Sequence, residues 1–336
     1  MESNLLQNII DPAILFFVFG VFAGAIRSNL EIPPAIAKFF SLYLLVAIGL
    51  KGGAALAAAG LPATGALALL GALIMATLVP AYSFLVLRRL MNPYDAAATA
   101  ATYGSVSAVT FIAAQQFLNR NEVEFGGYMV VAMVLMESPA IIMAVLLATW
   151  VRGQQHRQPS PDANTAQTVS LKKVLHEAFT DGAHLLLIGS LLIGFVTGAE
   201  GKKIMEPFAV DIFKGILAFF LLEMGLLVAR QLRESRQGLD RFAVGFALVM
   251  PVINAVLAMG LAWLFGLSRG DAMLLAVLAA SASYIVVPAI VRYAIPEARP
   301  GVYFSMSLAV TFPFNLTVGI PLYYNMIGLI WSSKLT

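Results

Sequence analysis

Ten runs of mostly apolar residues, each near the length of a membrane-crossing helix, constrain this chain more than any other feature. They cover 12–29, 34–51, 63–88, 95–118, 126–151, 182–199, 207–229, 241–266, 271–292 and 301–331. About 20 such residues cross a hydrocarbon core as a helix, and only helices or closed barrels satisfy their backbone there. Composition agrees: 60% of the 336 residues are apolar and 12% are charged, against about a quarter charged in soluble domains. The expected fold is an all-α integral membrane protein with ten transmembrane helices.

The formal charge of +3 does not mark a nucleic-acid partner, because the bases stand singly or in small groups beside apolar runs. They read as topology signals next to membrane lipid. Alternating the loops puts Lys51, Arg120, Lys202, Lys203, Lys214, Arg269 and Lys334 on one side and the other fourteen Lys and Arg on the opposite one. The positive-inside rule then predicts a bacterial inner-membrane protein with both termini outside and the polar stretch 152–180 in the cytoplasm. That stretch, with Pro159, Ser160, Pro161 and Asn164, is the one sizeable linker. Its segment 169–179 reads either as an amphipathic surface helix or as a plain lead-in to the sixth run. Residues 1–11 carry no basic signal region, so the first run reads as a mature helix. With no cysteine, disulfide and thiolate chemistry are excluded, and His156, His176 and His184 show no metal-binding spacing. No cofactor is expected.

The ten runs divide into two fives. At an offset of 176, Asp95, Ala96, Ser105 and Ser107 fall on Asp271, Ala272, Ser281 and Ser283, and Gly49 falls on Gly225. At 174, Gly20, Gly24 and Pro139 fall on Gly194, Gly198 and Pro313. The expected units are residues 1–151, the linker 152–180, and 181–336. Five is odd, so the second repeat enters from the opposite side, an inverted arrangement typical of secondary transporters with a midplane site.

Each repeat places Ser-x-Ser inside an apolar run, the fourth and the ninth, with Gly104 before the first pair and Pro288 after the second. In an unwound stretch residues i and i+2 point the same way, so Ser105 with Ser107 and Ser281 with Ser283 are expected to converge on a ligand. Helix N-termini and hydroxyl donors at such crossing, discontinuous helices favour a small oxyanion. The bland alternative is that small residues there merely allow close packing. Of the intramembrane acids Glu137 and Glu223, Glu137 beside Ser138-Pro139 is the candidate sodium ligand or proton acceptor. Thr311, Pro313 and Asn315 interrupt the tenth run, and Asn254 follows Pro251 in the eighth. Asp95 and Asp271 are expected to cap the helices they begin. No nucleophile and base pair or phosphate loop points to an enzyme.

Gly104-Ser-Val-Ser-Ala108, Met136-Glu-Ser-Pro-Ala140, Ala280-Ser-Ala-Ser-Tyr-Ile-Val-Val-Pro288 and Gly319-Ile-Pro-Leu322 resemble the sodium-dependent bicarbonate transporter family over essentially the whole chain. The resemblance implies inverted five-helix repeats, sodium-coupled bicarbonate import, trimers and, in some members, a PII-like cytoplasmic regulator. It places bicarbonate contacts on Gly104, Ser105, Val106, Ser107, Ala108, Ser281, Ala282 and Ser283. Thr110, Glu137, Tyr284, Thr311 and Asn315 are the candidates for the coupling ion. The second motif departs from the family pattern: Tyr284 stands at its Asp, and Val286-Val287-Pro288-Ala289 replaces Ser-Gly-Pro-Pro. Two alternatives therefore stay open, a sodium- or proton-coupled carrier of another small anion such as a carboxylate, and a membrane receptor or scaffold recruiting a partner through the linker.

Overall fold

The computed structural model describes residues 11–155, 176, 182–234, 240–284 and 286–332. His156, the termini, and all of the expected amphipathic stretch 169–179 except His176 lie outside them. The described chain is helical, without strands. Its helices are α1 (Pro12–Ala25), α2 (Pro34–Ala59), α3 (Ala63–Leu87), α4 (Pro93–Gly104), α5 (Ala108–Arg120), α6 (Tyr128–Gln155), α7 (Gly182–Ile204), α8 (Phe213–Glu234), α9 (Arg241–Leu264), α10 (Arg269–Ala280) and α11 (Val286–Ala294). The last run winds irregularly. Helix α12 (Pro300–Phe304) passes through a π-helical segment, Ser305–Thr311, into α13 (Phe312–Phe314), and a second, Asn315–Gly319, leads into α14 (Ile320–Ser332).

Among the described residues eight runs are long and apolar enough to cross a membrane. The expected first and ninth crossings are the two that differ. Helix α1 is 14 residues long, started by Asp11, whose carboxylate accepts the Ala13 and Ile14 N–H groups. Just beyond its end Arg27 is left-handed, with φ of 58°. At 1.5 Å per residue α1 reaches about 21 Å, short of a hydrocarbon core of about 30 Å. The ninth run is split into α10 and α11 by a non-helical stretch that begins at Ser281.

Helix α1 packs on α8 and α2 on α7, so the first two helices of the N-terminal half each lie against the C-terminal half. Glycines permit this. A Cβ on Gly20 would sit 2.2 Å from the Leu222 carbonyl oxygen, and one on Gly225 would sit 2.2 Å from that of Phe17. In the other pair, a Cβ on Gly53 would meet the Leu191 oxygen at 2.0 Å, and one on Gly194 the Leu50 oxygen at 2.3 Å. Such backbone approach is the usual device for joining helices in lipid, where no hydrophobic force separates protein from tail. Gly198 serves a different end: its φ of 54° kinks α7, a conformation side chains rarely adopt.

At the centre lie α4 and α10. From Asp95 to Gly104 and from Gly270 to Ala280 every residue is buried, the pattern of a helix surrounded on all sides. By contrast α7 turns Leu192, Ile193, Phe195 and Val196 outward, as a lipid-facing helix does.

The expected capping by Asp95 and Asp271 does not occur. Asn92 and Ser268 cap α4 and α10 instead, through the Tyr94 and Asp271 N–H groups. Each aspartate is spent on the other half of the chain. Asp95 accepts the Arg299 N–H at 2.7 Å and its guanidinium at 2.7 and 2.9 Å. Asp271 accepts the Gly126 N–H at 2.8 Å and the Tyr128 hydroxyl at 2.6 Å. Both carboxylates thus tie a central half-helix to the start of the last helical run of the opposite half.

Candidate functional site

Two interruptions bring the site together. After Gly104 the chain becomes extended at Ser105, with φ −99° and ψ −175°, and restarts at Ala108. After Ala280 it becomes extended at Ser281, with φ −77° and ψ 166°. Gly104 is required by packing, since a Cβ there would lie 2.6 Å from the Pro80 ring. The breaks touch: the Ser283 N–H donates to the Thr102 carbonyl at 2.9 Å, and the Ser107 hydroxyl donates to that of Tyr284 at 3.3 Å.

Between them and α2, α6, α7 and α8 lies a cavity of about 60 Å³. A single water needs about 10–15 Å³ measured in this way, so the space suits an anion of a few heavy atoms. Its polar lining is Ser41, Ser107, Glu137, His184, Ser283 and Tyr284, with Val106, Ala108, Val109, Ile112 and Phe220 among the apolar walls.

The four serines expected to converge do not all do so. Ser107 and Ser283 line the cavity and also start the following helices: Ser107 accepts the Thr110 N–H at 3.2 Å, and Ser283 accepts the Val287 N–H at 3.3 Å. Ser105 and Ser281 are fully buried but lie outside the lining. The extended stretches are short, and Ser281 turns its hydroxyl back onto the Val277 carbonyl of α10 at 2.6 Å. The Ser105 hydroxyl has no hydrogen-bond partner among the described residues. Val106 and Ala108 line the cavity, whereas Ala282 is buried outside it.

The coupling-ion candidates separate in the same way. Thr110 donates to Ser107 at 2.9 Å and stays behind it. Thr311 donates to the Ala247 carbonyl at 2.7 Å and shares a 2.6 Å hydrogen bond with Tyr103. Asn315 donates to the Ala280 carbonyl freed by the second break, at 2.8 Å, and accepts from Tyr323. Neither Thr311 nor Asn315 borders the cavity; both hold the surrounding backbone in place. Asn254 accepts from Tyr82 on α3, bridging helices. Glu223 is buried with one carboxylate oxygen lacking a hydrogen-bond partner among the described residues.

Glu137 does face the cavity, and its partner is the residue the sequence reading missed. His184 Nδ1 lies 2.5 Å from Glu137 Oε2, and both are buried. The signal was present: a carboxylate inside a span calls for a partner, and His184 is the only histidine inside an apolar run. Tyr284 packs edge-on against Phe312, with centroids 5.2 Å apart.

A comparison with curated proteins finds no match. The model of the Na+-dependent bicarbonate transporter superfamily matches residues 12–328. This chain, a multi-pass membrane protein, therefore belongs to the Na+-dependent bicarbonate transporter superfamily.

Proposed function

We propose that the chain is a symporter of two inverted five-helix repeats, residues 1–151 and 181–336, importing bicarbonate with sodium by alternating access across a bacterial inner membrane. The observation that carries this reading is the small cavity bounded by both helix breaks, with Ser107 and Ser283 presented from equivalent positions. Crosswise packing of α1 on α8 and α2 on α7, and the reciprocal aspartate ties, support the repeats. The serine hydroxyls suit a planar oxyanion, and alternation follows if one bundle rocks against the other around the breaks.

The test is uptake of radiolabelled bicarbonate into proteoliposomes with an inward sodium gradient, beside a control with potassium. Accumulation only with sodium supports the symporter; its absence in reconstituted, folded protein overturns it. The Glu137–His184 pair favours a second reading, a proton-coupled carrier of a small carboxylate. Uptake driven by a proton gradient, without sodium, would select that reading.

A further inference from the structure

A second, much larger cavity is stacked on the first along the same helices. Its volume is about 520 Å³. Helix α2 gives Leu44 and Leu45 to the small cavity and Lys51 to the large one. Helix α5 gives Ile112 to the small one and Gln116, Asn119 and Arg120 to the large one; α8 gives Phe220 and then Leu217, Lys214 and Phe213. At 1.5 Å per residue, the steps from Leu45 to Lys51, Ile112 to Gln116 and Phe220 to Leu217 are about 9, 6 and 4.5 Å. Less than two helical turns separate the two spaces, and on α8 Ala218 of the large one stands only about 3 Å from Phe220 of the small one.

The charge of the large cavity is one-sided. Among the described residues its lining holds Lys51, Arg120 and Lys214 against one acid, Asp11, which pairs with Arg120 at 3.1 Å. The Lys51 ammonium rests 4.3 Å above the Phe213 ring and lies within the repulsive field of both Lys214 and Lys202. Lys202 borders a small adjoining void that Lys51 also lines. The Gln116 and Asn119 amides add hydrogen-bond donors. A cleft of one sign with low-dielectric walls focuses its field and raises the local concentration of the opposite ion.

We infer that this basic cavity is a vestibule that collects small monovalent oxyanions and delivers them to the serine-lined cavity. The delivery step rests on the proposed reading of that cavity as an anion site; the collection step does not. An apolar layer of Leu45, Ile112 and Phe220 stands at the near end of the small cavity, so passage requires these side chains to part.

The chain contains no cysteine, so Asn119→Cys provides a single thiol in the vestibule. In uncharged detergent, that thiol is modified with an anionic sulfonatoethyl methanethiosulfonate and with its cationic trimethylammonioethyl counterpart, each rate normalised to a free thiol. The anionic reagent is expected to be favoured about tenfold or more. Adding Lys51→Gln and Lys214→Gln should reduce the preference to about twofold or less, and about 1 M salt should do the same by shortening the screening length to about 3 Å. Gln116→Cys repeats the measurement should Asn119→Cys fold poorly. No anionic preference with the lysines intact overturns the vestibule, whether or not the protein transports bicarbonate. In proteoliposomes the double lysine variant should raise the KM for bicarbonate about tenfold, with a smaller effect on kcat. An unchanged KM overturns delivery while leaving the proposed function in place, and absence of uptake by the unsubstituted protein overturns that function alone.

Discussion

The two helix breaks occupy matching places in the two halves of the chain but are finished differently. In each, the later serine performs the same two tasks: Ser107 and Ser283 both face the cavity and both accept an N–H from the next helix. The earlier serines diverge. Ser281 returns its hydroxyl to its own helix, while Ser105 keeps a buried hydroxyl without a partner among the described residues. The second break also carries Tyr284, whose ring packs on Phe312. One half thus retains spare hydrogen-bonding capacity and the other has used most of its own, so the two sides of the site are expected to contribute unequally to binding.

The largest effect should come from the shared tasks. Ser107→Ala and Ser283→Ala each remove a cavity hydroxyl and an acceptor for an N–H of the next helix, and loss of the Ser107 N-cap alone costs about 1 kcal/mol of stability. Bicarbonate uptake should fall about tenfold or more in both, measured as initial rates in proteoliposomes and corrected for folded protein by thermal unfolding. Equal losses would sustain the equivalence of the two positions. A loss in one alone would break it.

Breaking the Glu137–His184 pair tests whether a third wall of the cavity ranks with the breaks. His184→Ala leaves the Glu137 carboxyl without this hydrogen-bond partner, and a buried polar group left unpaired costs about 1–3 kcal/mol. A marked fall in the unfolding temperature in detergent is expected, with Glu137→Gln milder because the amide keeps a hydrogen bond to the ring.

How far the sequence revealed this arrangement depended on whether each signal was local. Paired serines beside Gly104 and before Pro288 interrupt otherwise apolar runs, and such punctuation shows in the chain itself. The partner of Glu137 was harder to pair from sequence, because His184, though the only histidine inside an apolar run, lies 47 residues away, beyond the linker. Asp95 and Asp271 misled for the opposite reason. An acid in the first turn looks like a cap, yet Asn92 and Ser268 already filled that role three residues earlier, freeing the carboxylates for the other half. The π-helical segments of the last run flank the interruption read at Thr311, Pro313 and Asn315, but the winding itself was not legible, since it changes while the apolar content does not. Nor could pattern tell that Ser281 would bond to Val277, because extended geometry fixes which way a residue points only while the stretch stays extended.

The asymmetry between the earlier serines predicts a smaller, unequal response. Ser105→Ala should lower apparent bicarbonate affinity about threefold to tenfold, the worth of about one hydrogen bond. Ser281→Ala removes only a bond internal to α10 and should leave uptake within about twofold. Reversal of that order would show that the spare capacity lies in the other half.

Tyr284 gives the smallest effect and the sharpest reading of it. Tyr284→Phe keeps the ring against Phe312 and removes the hydroxyl that accepts from Ser107 at 3.3 Å, a long bond whose loss should change uptake by about twofold or less. Tyr284→Asp instead returns the carboxylate of the family pattern to the cavity wall, where hydroxyls already stand, and should lower the sodium concentration needed for half-maximal uptake. Should the Asp variant leave sodium dependence unchanged, sodium is held elsewhere, and the second break differs from the family pattern in packing rather than in ion coupling.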